Sequence, residues 1–469
     1  MNIHLKAILS AIAFSLLFYS KSFGLNLFLI AIIVVAVLFS IKEKRPIPWI
    51  YALIYIFSAL MVVVNPSSFQ VTVHFIAFFV FVGKSVSNRS SLYIAALIGL
   101  VNMVLASVIR LGEASQNPPK TKTDSDNDTI PRTYVYLKGA IVALLLMGLF
   151  ILMYRNANPI FNHLIAQIDM SFISVPWVFF TFLGYFLFRH LLAPFGAEEL
   201  ADQDLKISNE LQAPTTPFTE VVLKKIQEEH ILGSMVLGTL NVLLLFFLIT
   251  DMIYLLGSST LVSHAQYSEA VHEGVYALSF SVICAIIVLI YFFRGNLNFY
   301  KNNTRLKSLS FIWIGFNLLL VLFTCIKNYH YIAELGLTYK RIGVFAYLLL
   351  TLVGLITAYL KVIQIKSFMY LFRTNTTIIF AFLILCTAIP WDRAITAYNL
   401  SHLPHPDMEY LLSLNTNNSA QLYQYARQHK QEIPQHQKTR ISERLATFKE
   451  NQAAKSWQEY TVLEFTLKY

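Results

Sequence analysis

The chain has 469 residues, of which 56% are hydrophobic and 13% charged, and it carries a formal net charge of +10. With a mean hydropathy of +0.57 and about half the charge density of ordinary soluble domains, it holds more apolar surface than one water-exposed fold can bury. That excludes a soluble enzyme, and because Lys and Arg sit in short clusters rather than a basic stripe it also excludes a nucleic-acid-binding protein; the lipid bilayer is the expected solvent and partner.

Taken in chain order, apolar runs bounded by charge, proline or polar clusters predict spans at 3–19, 24–41, 48–64, 71–82 and 91–109. The first run follows Lys6 and resembles a signal peptide, but Tyr19-Ser20-Lys21-Ser22 offers no small-x-small cleavage site. It is read as a short membrane segment. The run at 71–82 reaches only about 18 Å as a helix, short of a hydrocarbon core of about 30 Å, and is read as re-entrant. A polar loop at 110–138 follows, then spans at 139–154, 172–192, 231–256, 275–293, 308–326, 342–360 and 374–389. The expectation is an all-α polytopic bundle of about 11–12 spans, with eleven favoured. It divides into an N-terminal membrane block (1–138), a membrane core (139–398) and a polar tail (399–469).

Basic clusters set the orientation. Arg294, Lys301, Arg305 and Lys307, and two spans later Lys361, Lys366 and Arg373, mark cytoplasmic connections. The segments 155–171, 257–274 and 327–341, and the tail, then face outward. Lys42, Lys44 and Arg45 also ask to be cytoplasmic, and treating 71–82 as re-entrant reconciles them with the rest. In the tail, Asn418-Ser419-Ala420-Gln421 reads as an N-cap and capping box ahead of Leu422 and Tyr425, and Ile441, Leu445 and Phe448 predict a second helix packing on the first. The tail is expected to be a small helical domain. Cys284, Cys325 and Cys386 lie in apolar runs without metal-ligand spacing and are read as packing residues.

Three stretches carry a family likeness: Tyr154-Arg155-Asn156-Ala157-Asn158-Pro159-Ile160-Phe161, Tyr267-Ser268-Glu269-Ala270-Val271-His272-Glu273-Gly274, and Leu335-Gly336-Leu337-Thr338-Tyr339-Lys340-Arg341. They resemble the bacterial membrane proteins grouped as domain of unknown function 4173, near its neighbour 4153. The resemblance spans roughly 139–400. It implies a multi-pass topology in a bacterial inner membrane and transfers no catalytic residue or cofactor.

The most polar outward loop, 257–274, holds His264, Glu269, His272 and Glu273, the last three on one face if helical. These residue types can hold a divalent metal or relay protons. A solvated helix with local ion pairs is the favoured reading, and no metal or cofactor is assigned. Asp251 lies just inside the outer end of its span and must face protein or water. His330 and Arg341 on the next outward loop complete a candidate cluster of Asp251, His264, Glu269, His272, Glu273, His330 and Arg341. His74 reads as a packing histidine, and Asn102, Asn241 and Asn317 as interhelical hydrogen-bonding residues.

No Walker loop, dinucleotide glycine pattern or nucleophile elbow is present. Three function classes follow. An envelope assembly or sensing protein would engage a protein partner through its tail, and this class is favoured. A membrane-embedded transferase would act on a lipid-linked substrate at the outer face, with Asp251 or Glu269 as base and Arg341 or Lys340 on a phosphate. A secondary transporter would need repeats and paired broken helices, which the sequence does not display.

Overall fold

The computed structural model describes residues 3–40, 48–105, 174–194, 198–261, 281–429 and 433–462, with single positions between 139 and 161 and at 431. Among them every regular element is helical, relieved only by an isolated antiparallel bridge between Glu210 and Lys366. In a chain this apolar, helices are the economical choice, because each satisfies its own backbone without a sheet edge facing lipid.

In chain order the helices are α1 (Ile3–Phe18), α2 (Leu25–Phe39), α3 (Trp49–Val64), α4 (Ser68–Val86), α5 (Leu92–Leu100), α6 (Val175–Leu192), α7 (Glu198–Lys206) and α8 (Glu220–Leu261). After α9 (Ser281–Phe292) come α10 (Thr304–Leu335), α11 (Tyr339–Ile363), α12 (Phe368–Cys386), α13 (Trp391–His402), α14 (Met408–Ser413), α15 (Ser419–Gln428) and α16 (Gln435–Ala453). Six of them, α4, α6, α8, α10, α11 and α12, are long and apolar enough to cross a membrane, and α1, α2, α3, α5 and α9 belong to shorter apolar helices of 10–17 residues. The protein is a multi-pass, all-α membrane protein.

One expectation is corrected and another extended. The run 71–82 is not a short re-entrant piece but the middle of α4, a helix of 19 residues. Hydropathy missed its ends because their polar residues face protein. Gln70 Nε2 donates to the Thr387 carbonyl at 3.2 Å and buried Lys84 to the Asn88 carbonyl at 3.2 Å; within the run, His74 Nδ1 lies 3.0 Å from Ser58 Oγ while its ring stacks on Tyr55. The expected span 231–256 belongs to α8, a continuous helix of 42 residues whose first turns, from Glu220 to His230, are charged.

The chain forms two compact units, one of residues 1–20 with 101–195 and one of 21–100 with 196–469. In the first, α1 and α6 pack through Phe14 and Phe180, whose rings stack at 5.0 Å, and through Thr181 Oγ1 donating to Ser15 Oγ at 2.8 Å. In the second, α8, α9, α10 and α11 share one core around Leu237, Ala285, Phe293, Leu306 and Leu355. α4, α5 and α12 share another around Val80, Leu92 and Phe380.

The α4–α5 contact depends on small residues. A Cβ on Gly83 would collide with the Ala95 carbonyl, and one on Gly99 with the Phe79 carbonyl. Ala95 and Gly99 are four residues apart, the small-xxx-small spacing that lets membrane helices touch backbone to backbone. Replacing Gly99 with Val is expected to destabilise the protein by about 1–3 kcal/mol through overpacking. Gly238→Ala, where a Cβ meets open space inside a helix, should not lower the thermal unfolding temperature in detergent. Equal melting temperatures for the two variants would contradict the close approach.

Candidate functional site

The second unit has two chemically different ends. At one end lie the start of α2, the α3–α4 turn, the α10–α11 turn, the end of α12 and the tail. The contacts are specific. Leu25 N–H donates to the Tyr460 carbonyl at 3.0 Å and Val462 N–H to the Val63 carbonyl at 2.8 Å. Asn417 Nδ2 donates to the Pro66 carbonyl at 2.6 Å. Buried Asn399 on α13 makes two reciprocal bonds to the α10–α11 turn: its Oδ1 accepts from Leu337 N–H at 2.6 Å and its Nδ2 donates to the Leu337 carbonyl at 3.0 Å. Gly336, at φ +85°, stops α10 there. It is a position where a side chain would be strained and would strike Asn399 and Leu403. Tyr339 adds a hydroxyl bond to Asp392 at 2.8 Å and an N–H bond to the Tyr410 hydroxyl oxygen at 2.9 Å.

The tail is built as expected, with one difference. Helix α15 starts at Ser419, but Asn418 does not cap it through its side chain. Its Nδ2 donates instead to Thr396 Oγ1 and the Leu411 carbonyl, each at 2.9 Å, so the residue stitches three tail elements together. Leu422 and Ile441 meet in the core with Ile395 and Leu411, and Leu445 and Phe448 pack on Tyr423. The last described turn is pinned by Glu459, whose carboxylate accepts from Ser22 N–H and Oγ, both at 2.8 Å, and from Ser456 N–H at 3.0 Å and Oγ at 2.6 Å. Burial pushes this carboxyl up, but the bonds from Ser456 and Ser22 outweigh it and hold it down at about 2.

The opposite end carries the basic connections. Segment 198–211 docks there on the starts of α5 and α12. Asp204 accepts from Ser91 N–H at 2.7 Å and the Tyr93 hydroxyl at 2.7 Å and pairs with Arg373 at 3.0 Å. Lys366 pairs with Glu210 at 2.6 Å.

Of the sequence-predicted cluster, His264, Glu269, His272 and Glu273 lie outside the described residues. Asp251, on α8, is buried and forms an ion pair with Lys327 of α10, itself buried. Its second oxygen, Oδ2, is buried with no hydrogen-bond partner among the described residues. A second tie between these helices is Asn241 Nδ2 donating to the Leu309 carbonyl at 2.9 Å. Asn317, expected to bond across helices, donates within α10 to the Trp313 carbonyl. Arg341 is close in the fold, since its carbonyl accepts from Asn328 Nδ2 at 3.1 Å. Its guanidinium, however, closes the end of α10. Nη1 donates to the Leu335 carbonyl at 2.8 Å and to the Gly336 carbonyl, and the group stacks 4.0 Å from the Tyr331 ring. His330 is exposed on the side of α10, beside Tyr329. The cysteines are half-buried free thiols. The tail-docking residues Asn399, Asp392 and Glu459 were not singled out from sequence; a signal existed only for Asp392, an acid in the first turn after Pro390.

Two concavities stand out among the described residues. A crevice between Gln70, Asn65 and Asp392, at the junction of the tail with α4, has room for about 10 Å³, one water at most. A cleft of about 210 Å³ lies wholly in the tail, lined by Pro406, Asp407, Glu409, Tyr425, Ile433 and Pro434 among others.

A family model described as domain of unknown function 4153 matches residues 29–425. The chain belongs to this family. The 4153 match runs from within α2 into α15 and takes in Asp251, Lys327, Arg341 and Asn399, while Glu459 and α16 lie beyond it. Membership of the neighbouring family 4173, named from the loop motifs, is not carried by this match. No curated protein and no solved structure matches the chain.

Breaking the Asp251–Lys327 pair from one side leaves a buried charge without its counter-ion. Asp251→Leu or Lys327→Met alone is therefore expected to destabilise by about 3 kcal/mol or more, and the Asp251→Leu/Lys327→Met double variant to recover most of that loss. Thermal unfolding of the four proteins in one detergent decides it; additive losses would show that the pair is not coupled.

The clamp at Glu459 has a defined pH dependence. Its folded value of about 2 lies below the usual carboxylate range, so its contribution is full at neutral pH and fades as pH falls from about 5 toward about 2. Cleavage near residue 455 by an acid-active protease should rise through that window in the wild type. Glu459→Gln should be cleaved readily at every pH, and indistinguishable profiles would rule the clamp out.

Proposed function

We propose that this is an envelope assembly or sensing protein that presents its helical tail on the outer face of a bacterial inner membrane for a protein partner. What carries this reading is the polarity of the second unit. The tail is bonded to one end, while Lys84, Arg294, Lys301, Arg305, Lys361, Lys366 and Arg373 gather at the other, which is the cytoplasmic side under the positive-inside rule. The tail is held by side-chain and backbone bonds to several loops, which fits a surface that must be displayed in a fixed orientation. The cleft between Tyr425, Ile433 and Pro434 offers a partner a ready apolar recess bordered by acids.

The alternative of a transferase at the outer face draws on Asp251, which lies toward the tail end of α8. Arg341 Nη1 is engaged by α10 carbonyls, so a phosphate in that reading falls to Lys340, which is exposed.

The test uses the full chain in intact cells. Ser442 and Glu443, both exposed on α16, are changed singly to Cys and treated with a membrane-impermeant maleimide; both should label without lysis, and Lys301→Cys only after it. The reverse pattern overturns the orientation and with it the outward tail. A photo-crosslinking residue at Glu443 or His405 should then give a discrete adduct in cells that is missing from Lys301. Adducts absent from every tail position would remove the partner reading.

A further inference from the structure

Many cations of the second unit are already committed. Lys327, Lys366, Arg373 and Arg440 have carboxylate partners, Lys361 Nζ donates to the Phe293 carbonyl at 2.7 Å, and Arg341 closes α10. The connection between α9 and α10 is the exception. It carries Arg294, Lys301, Arg305 and Lys307 within fourteen positions, and no Asp or Glu occurs from Gly274 to Ala333. Arg294, Lys301 and Arg305 are exposed and Lys307 is half-buried. None of the four has a carboxylate within ion-pair distance among the described residues.

The connection is nevertheless firmly built. Its 3-10 turn, Asn296–Phe299, is held from inside by buried asparagines. Asn298 Nδ2 donates to the carbonyls of Phe293 at 3.0 Å and Gly295 at 2.8 Å, and Asn303 Nδ2 donates to those of Leu297 at 3.1 Å and Asn298 at 2.9 Å. On the flanks, Arg294 lies 4.3 Å over the exposed Tyr291 ring, and Tyr300 packs against His230 of α8 with ring centroids 5.6 Å apart. Nearby, Lys224 and Lys225 on α8 are balanced by Glu228 and Glu229 at i+4 spacing. The excess positive charge therefore belongs to the connection itself. Four like charges on a fixed loop repel one another unless an anion sits among them. The loop begins where α9 leaves the apolar layer and ends where α10 enters it, so the anion always within reach is a lipid phosphate.

We propose that the 294–307 connection is a binding site for the headgroup of an anionic phospholipid, with Arg294, Lys301, Arg305 and Lys307 surrounding its phosphate. Arginine and lysine donate charge-assisted hydrogen bonds to phosphate oxygens, and juxtamembrane cations attract anionic lipid in proportion to their number. A zwitterionic headgroup offers the same phosphate with its charge cancelled, so the site discriminates by net charge. The inference goes beyond the tail reading and does not depend on which side of the membrane the connection faces.

The experiment uses the full-length protein in nanodiscs of phosphatidylcholine containing a minor fraction of phosphatidylglycerol, with co-released lipid counted by native mass spectrometry. The wild type should retain phosphatidylglycerol above its share of the supply. The Arg294→Gln/Lys301→Gln and Arg305→Gln/Lys307→Gln pairs should each bind it more weakly, by roughly fivefold per charge removed, and the Lys224→Gln/Lys225→Gln control should match the wild type. Each pair leaves two cations on the loop, so a variant that fails to insert is replaced by the other. Inorganic phosphate added in excess should not displace the lipid. Retention in proportion to supply, or equal retention by wild type and both pairs, overturns the proposal; displacement by inorganic phosphate overturns the lipid assignment in favour of a free-phosphate site.

Discussion

A helix that stops leaves its last carbonyls without internal donors, and near hydrocarbon each such group costs several kcal/mol if nothing replaces them. This chain meets that constraint repeatedly with a cation reaching back from elsewhere. Arg373 donates to the Ile207 carbonyl at 2.9 Å, just past α7. Lys361 serves the end of α9, Arg341 the end of α10, and Arg444 the end of α14 through the Leu412 carbonyl at 2.6 Å and the Leu414 carbonyl at 2.5 Å. In all four the cation comes from a different helix than the one it closes, so each cap is also a tertiary contact. The negative end of the helix dipole makes a positive partner the favourable choice.

This use of charge separates what was legible in the sequence from what was not. Span positions were legible because apolar runs are long and their borders charged, and the two tail helices because Leu422, Ile441, Leu445 and Phe448 repeat at helical spacing. Helix α4 was misjudged for a physical reason: a hydropathy window counts Gln70 and Lys84 as polar borders, although the carbonyls of Thr387 and Ile389 satisfy the first and those of Asn88 and Ser90 the second inside the protein. A window sees composition, not direction. The role of Arg341 was hidden in the same way. Its charge invites an anionic ligand, and only the positive-φ stop at Gly336, whose carbonyl and that of Leu335 accept from Arg341, shows that the guanidinium is engaged by carbonyls.

Asp251 and Lys327 show the middle case. That a carboxylate inside a span must find a partner follows from the cost of charge in hydrocarbon. Which partner it finds, 76 residues away on α10, depends on helix packing that no local pattern encodes. The pair holds α8 to α10 near the tail end, while Asn241, midway along α8, holds it to Leu309 in the opening turns of α10. The tail is anchored on the neighbouring α10–α11 turn through Asn399, so the buried ion pair and the tail share one short stretch of chain, Lys327 to Tyr339.

Helix α8 gives this arrangement a mechanical consequence. At 42 residues and 1.5 Å per residue it is about 63 Å long, roughly twice the thickness of a hydrocarbon core. It therefore projects well beyond the apolar layer, and its charged opening turns from Glu220 are the natural projecting part. An uninterrupted helix has no joint in which motion can be absorbed. A push or tilt applied at the Glu220 end reaches Asp251 as a displacement of the whole rod, and the salt link there is where the rod would slip or hold against α10.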